Sequence, residues 1–167
     1  MKDKRPKMNL KQTKADRLIE ITGWALVVVL WGLAISAYPT LPETIPTHFN
    51  ATGEVDGSGP KDMIWIAPII GSLLFICLTI LNNYPHVFNY PVSINTQNAY
   101  AQYKSATTMI RFLKLSLILV FLILFNYTIK TATGEIDELG LWFLPLSLAL
   151  IFIPLLVYII VSFQRDK

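Results

Sequence analysis

"MIWIAPIIGSLLFICLTILNNY", Met63–Tyr84, runs for 22 residues without one Asp, Glu, Lys, Arg or His. A helix needs about 20 mostly apolar residues to cross roughly 30 Å of hydrocarbon, so this stretch predicts a membrane span. Ile21–Tyr38 and Leu139–Phe163 are equally free of charge. Phe112–Ile129 includes only Lys114, one turn from its start, where a long stem is expected to snorkel to the headgroups. Trp24, Trp65, Trp142, Tyr38, Tyr84 and Tyr127 fall near the ends of these runs, as an aromatic belt requires. The expected fold is an all-α membrane protein with four transmembrane helices, at about 21–38, 63–84, 112–129 and 139–163. They form a single membrane domain, 18–167, after a basic tail, 1–17. An outer loop, 39–62, and an inner connection, 85–111, join the spans.

The 167 residues, 53% hydrophobic and only 15% charged, are too apolar for a soluble domain of this size. Net charge is +3, but seven of the 14 Lys and Arg lie in the first 17 residues, where they orient a membrane protein rather than bind nucleic acid. With the N-terminus inside, 12 of the 14 basic residues are cytoplasmic. The outer loops instead collect Glu43, Glu54, Asp56, Asp62, Glu135, Asp137 and Glu138. The positive-inside rule therefore predicts both termini in the cytoplasm. The first apolar run exceeds the roughly 7–15 residues of a signal-peptide core, which predicts an uncleaved anchor. The basic tail is expected to be a solvated arm attracted to lipid.

The span interiors carry Ser36, Ser72, Thr79, Ser116, Asn126, Ser147 and Tyr158 as their polar groups. Such residues bridge helices, whereas ion-coupled transport places an ionisable group in the membrane, so transport is not expected. Pro68, Pro145 and Pro154 are expected to kink their helices, and Gly32 and Gly71 to allow close approach. The lone Cys77 excludes a disulfide framework and a CxxC motif, and no metal set or cofactor is expected.

The outer loop, "LPETIPTHFNATGEVDGSGPKD" (Leu41–Asp62), concentrates the chemistry. Pro39, Pro42 and Pro46 predict a stiff, extended exit from the membrane. Alternation from Ile45 to Asn50 and the glycines after it predict a hairpin across Gly53, with Ile45, Phe49 and Val55 on one apolar face. His48, Asn50, Glu54 and Asp56 then share the other face, as a polar ligand site or an acid–base pair. The same residues also suit a plainer role, with His48 and Asn50 satisfying backbone groups and the acids solvated.

The string Leu41-Pro42-x-x-Ile45-Pro46-x-His48-Phe49-Asn50-x-x-Gly53-x-x-Asp56, followed by Lys61, resembles the motif of a bacterial membrane family known as domain of unknown function 1648. "NYPVSINTQNAYAQY" (Asn89–Tyr103) resembles the cytoplasmic connection of its compact members. That domain also forms the N-terminal part of SdpI-type immunity proteins, which protect a cell from its own peptide toxin. The resemblance implies a ligand site at His48, Asn50, Glu54, Asp56 and Lys61, with Pro42, Pro46, Phe49 and Gly53 as structural positions. SdpI-type proteins carry a further C-terminal membrane region for which these residues leave no room, which weighs against the immunity role and more strongly against repressor sequestration.

Two weaker patterns remain. Ala51–Asp56 reads ATGEVD and Ala132–Asp137 reads ATGEID, each followed by Trp-x-x-Pro. Convergence on an acidic turn explains this slightly better than duplication of a hairpin; a true duplication predicts outer loops lying side by side. In the inner connection, the Tyr-Pro pairs predict an extended run along the membrane surface, Asn95 or Thr96 can cap the next helix, and Arg111 and Lys114 are expected to reach lipid headgroups. The sequence thus favours a binding, sensing or immunity-type module for an extracytoplasmic peptide or envelope ligand. A membrane-surface enzyme using His48 and Asp56 ranks second. An accessory subunit with a membrane partner, or a homo-oligomer, ranks third.

Overall fold

The computed structural model describes residues 5–165; residues 1–4 at the start of the tail, and Lys167 among the counted basic residues, lie outside them. It contains α1 (Lys14–Ala37), β1 (Thr44–Phe49), β2 (Val55–Pro60), α2 (Ile66–Leu81), α3 (Ala99–Ala132) and α4 (Phe143–Gln164). All four helices are long and apolar enough to cross a membrane, which makes this a multi-pass membrane protein. At 1.5 Å per residue α3 is about 50 Å long, well beyond the hydrocarbon thickness, and it packs against each of the other three helices. The start of α1 and the end of α4 both lie beside the first turns of α3, at one end of the bundle, and the hairpin lies at the other.

Local chemistry sets the helix ends. Thr13 and Asp16 form a capping box: the Thr13 N–H donates to Asp16 Oδ2 at 2.7 Å and the Asp16 N–H to Thr13 Oγ1 at 3.1 Å. Pro68 and Pro145 are each the third residue of their helix, where the N–H has no intrahelical acceptor, so neither breaks the ladder. Only Pro154 lies inside a helix. The echo between the outer loops also resolves into different local structures. In ATGEVD, Gly53 (φ +92°) turns a hairpin, while in ATGEID, Gly134 (φ +75°) ends α3, with the Glu135 N–H bonded to the Lys130 carbonyl. The shared string serves two turns that each need a positive φ, although the loops do lie side by side.

The core gathers Val27, Leu30, Ala34, Phe75, Ile118 and Phe125 from three helices. Trp24 meets Phe75 edge-on at 5.0 Å, and the Trp31 indole N–H donates to Ser72 Oγ at 2.8 Å. Gly23 makes the tight approach: a Cβ there would stand 2.6 Å from the Phe75 ring. Gly32, expected to allow close packing, has open space beside it, and Gly71 sits in ordinary contact with Leu30, Ile118 and Phe121.

Toward the end carrying the termini, the core becomes ionic. Asp16 and Glu20, one turn apart on α1, face Lys104, Arg111 and Lys114 of α3. Lys104 pairs with Asp16 Oδ2, and Arg111 Nη1 lies 3.3 Å from Asp16 Oδ1. Arg111 Nε stands 3.2 Å from Glu20 Oε1, an ion pair not aligned as a hydrogen bond. Lys114 Nζ donates to Glu20 Oε2 at 2.5 Å and Thr79 Oγ1 at 2.7 Å, over the Phe75 ring. Arg111 and Lys114 therefore do not reach lipid phosphates, as their spacing suggested; their side chains are 6% and 1% exposed and point inward. The reason is electrostatic, since two carboxylates on α1 offer closer partners than headgroups do. Nor is the tail only solvated: Arg5 donates to the Phe88 carbonyl at 2.5 Å and lies over Tyr90, which packs on Phe88 and Tyr103.

Two substitutions test this packing. Gly23→Ala should cost about 1–3 kcal/mol by overpacking against Phe75, while Gly32→Ala should be neutral or slightly stabilising, read by chemical denaturation in micelles. Asp16→Ala strands Lys104 and takes from Arg111 one of its two carboxylates, and should cost about 3 kcal/mol, whereas Lys61→Ala, which breaks a surface pair, should cost less than about 1 kcal/mol.

Candidate functional site

The outer cap is an antiparallel hairpin whose register pairs Thr44 with Pro60, Ile45 with Gly59, Pro46 with Ser58, His48 with Gly57 and Phe49 with Val55. The ladder slips on either side of His48, so strict alternation fails there. Pro46 has no N–H to give the ladder and turns inward beside buried Ile45, while Thr47 is exposed. Ile45 joins the core with Leu41 and Ile64. At the hairpin base, Trp65 stacks on Trp31 at 6.2 Å and lies 5.3 Å from Tyr38.

The polar residues do not form one group. At the tip, Asn50 Oδ1 accepts from the backbone N–H of Thr52 and of Glu54, both at 3.0 Å, and its amide donates to Glu54 Oε2 at 2.8 Å. The Thr52 hydroxyl lies 2.6 Å from Asn50 Oδ1 and 2.9 Å from Glu54 Oε2. Asn50 and Glu54 therefore build the turn. Lys61 is at the opposite end of the hairpin, where its Nζ meets Glu43 Oε1 at 2.8 Å and its N–H donates to the Glu43 carbonyl. Pro42, next to Glu43, is exposed on the same segment.

His48 and Asp56 are left together. Nδ1 and Oδ1 are 2.5 Å apart, and the His48 side chain is 70% exposed. With Nδ1–H donated to Asp56, the neutral ring presents Nε2 as an acceptor, and Nε2 has no protein partner among the described residues. His48 and Asn50, but not Asp56, line a cleft of about 470 Å³. Thr47, Phe49 and Ala51 of the hairpin line one side; Leu124 and Thr128 of α3, with Leu139, Phe143 and Leu144, line the other.

The cleft exists because the two outer loops are docked. The Leu139 N–H donates to the Gly53 carbonyl at 2.7 Å, and Leu139 is buried. Gly53 and Gly140 (φ +87°) meet backbone to backbone, and any side chain on Gly53 would collide with Gly140. The second loop's part in the site was not foreseen from sequence; Gly140, just before a helix-starting Trp, was the available signal. The arrangement can orient an imidazole over an apolar trough. It offers no nucleophile aligned with His48 among the described residues.

Residues 25–71 match the model of a family described as a domain of unknown function, DUF1648. The match runs from within α1 through the hairpin to Gly71, so it contains every motif residue of the cap. An uncharacterized protein of Archaeoglobus fulgidus is 37% identical over 73 residues, 39% of this chain and 40% of that protein. The chain thus spans well under half the length of this curated relative. No solved structure matches the chain.

The tip carries its own pH dependence. Hydrogen bonds from the Asn50 amide, then from Thr52, hold the Glu54 carboxyl below its ordinary 4.5. Because the folded value is lowered, the contribution is complete above pH 4.5 and lost as pH falls through the lower folded value. Amide shifts of Gly53 and Glu54 should therefore hold steady from neutral pH down to 4.5 and move only below it, and Glu54→Gln should abolish the transition. Movement near pH 6 would assign it to another group.

Proposed function

We propose that this protein is a membrane-embedded recognition module whose outer cleft binds an amphipathic extracytoplasmic ligand, a peptide or an envelope component. The observation that carries the proposal is the exposed His48, oriented by Asp56, at the edge of a mostly apolar trough between the hairpin and the ends of α3 and α4. Leu124, Phe143 and Leu144 would receive the apolar part of the ligand, and His48 Nε2 its polar part. Asp56 fixes the ring, so binding would cost little ordering of the imidazole. Asn50, Glu54 and Lys61 enter this proposal as scaffold, because their polar atoms are engaged within the hairpin. The charge distribution supports a cytoplasmic membrane with both termini inside and the cleft outside. An SdpI-like immunity role is one form such recognition could take.

A second proposal is a membrane-surface enzyme with His48 as general base and Asp56 as its orienting partner, favoured by the same Nδ1–Oδ1 contact. The high exposure of His48 argues against it, because water screens the charge development that catalysis must stabilise.

One experiment separates these. Native mass spectrometry of the purified protein after incubation with envelope extract should show a retained species that Leu144→Trp, which fills the trough, removes. His48→Ala should weaken retention about tenfold, the scale of one lost charge-assisted or buried hydrogen bond. Turnover of the species by the parent, abolished in His48→Ala, would favour the enzyme. Equal retention by parent and Leu144→Trp would sink both.

A further inference from the structure

At the end of the bundle that carries the termini, α3 and α4 part around a groove of about 490 Å³. Its walls are graded. Lys104, Ser105 and Thr108 of α3 and Arg165 at the end of α4 line one end, while Met109, Phe112, Pro154, Val157 and Val161 line the deeper part. All its charge lies at one end. Every apolar surface of a membrane helix meets acyl chains, but a recess with cations at one mouth is complementary to a whole anionic lipid rather than to its tail.

Among the described residues, the positive charges near the mouth outnumber the carboxylates that face them. Lys104, Arg111 and Lys114 face only Asp16 and Glu20, leaving one positive charge in excess within that cluster. Lys104 belongs both to the cluster and to the groove. Arg165 has no carboxylate partner among the described residues. Its Nη1 donates to the Ala101 carbonyl at 3.2 Å and to Ser105 Oγ at 2.6 Å, which pins the guanidinium at the mouth. Nη2 and Nε have no partner among the described residues, and a planar guanidinium binds phosphate oxygens in pairs. Beneath the mouth, Gln102 and Ser162 bond reciprocally across the helices, at 2.8 and 2.6 Å, and hold α4 to α3 there.

We propose that this groove is a binding site for an anionic phospholipid of the leaflet at the termini end. The phosphate sits against Arg165 and Lys104, and one acyl chain lies along Met109, Phe112, Val157 and Val161. This site is independent of the outer cleft and does not rest on its function. It also restores a lipid contact to this face, through Arg165 and Lys104 rather than Arg111 and Lys114.

The test titrates detergent-solubilised protein with phosphatidylglycerol and with phosphatidylcholine of the same chains, reading bound lipid by native mass spectrometry and Tm in parallel. Phosphatidylglycerol should be retained at about tenfold lower concentration than phosphatidylcholine. Arg165→Gln, which keeps a donor for Ser105, should erase that preference by weakening phosphatidylglycerol far more than phosphatidylcholine, whose phosphate is already offset by its choline cation; Arg165→Lys should restore part of it. Val157→Trp, at a position 54% exposed, should exclude both lipids. Equal retention of the two lipids by the parent would overturn the proposal. So would a phosphatidylglycerol preference that survives Arg165→Gln. A parent that is dimeric and becomes monomeric on Val157→Trp would assign the groove to a second copy instead. If Val157→Trp fails to fold, the Arg165 substitutions still decide.

Discussion

The structure depends on a set of opposite charges placed where water is scarce. Asp16 and Glu20 on α1 must find cations, and Arg111 and Lys114 on α3 must find carboxylates, because an unpaired charge in this setting is costly. Apolar contacts between membrane helices select partners poorly, since lipid competes with side chains on nearly equal terms. Ion pairs do discriminate. They fix the rotation of α1 about its axis and its height against α3, and the Lys114–Thr79 bond extends the same registration to α2. Once those three helices are set, Phe75 meets Gly23 and Trp24, and Leu30 meets Ile118.

The outer cap is a consequence of that registration. A two-stranded hairpin is marginal in water by itself. This one is anchored through Ile45 in the core, through the Trp31–Trp65 stack at its base, and through Gly53 against the second outer loop. The tip is satisfied internally by Asn50, Thr52 and Glu54, so the hairpin presents few free polar atoms. His48 and Asp56 stand out because the turn does not use them. His48 also lines the trough between the hairpin and the ends of α3 and α4, which no single segment of the chain forms by itself.

Several features were legible in the sequence because they follow from local rules. Four uninterrupted apolar runs specify four spans, the glycines at 53 and 134 mark turns that need positive φ, and the proline-rich exit from α1 leads into an extended strand. The capping box was equally available, as Thr-x-x-Asp ahead of an apolar run, and so was the facing pattern of Asp16 and Glu20 against Lys104, Arg111 and Lys114. Yet that pattern names its partners only if α1 and α3 are already known to be neighbours. Lys114 read as a snorkelling lysine because its own helix offers no acid, and Gly32 read as a contact because helix rotation is invisible in one dimension.

The sequence by itself determined the class, the number of spans, the hairpin and the composition of the cap, since each depends on hydropathy, periodicity and turn chemistry within a few residues. Only the tertiary structure decided which of the polar residues are free. Asn50 and Glu54 are consumed by contacts across four residues, which a close reading could anticipate. Asp16 and Arg111 stand 95 residues apart, Leu139 and Gly53 86 apart, and the two walls of each groove come from segments distant in the chain. Such pairings depend on how helices rotate and stagger against one another, a property of the whole packed bundle that no local window of sequence contains.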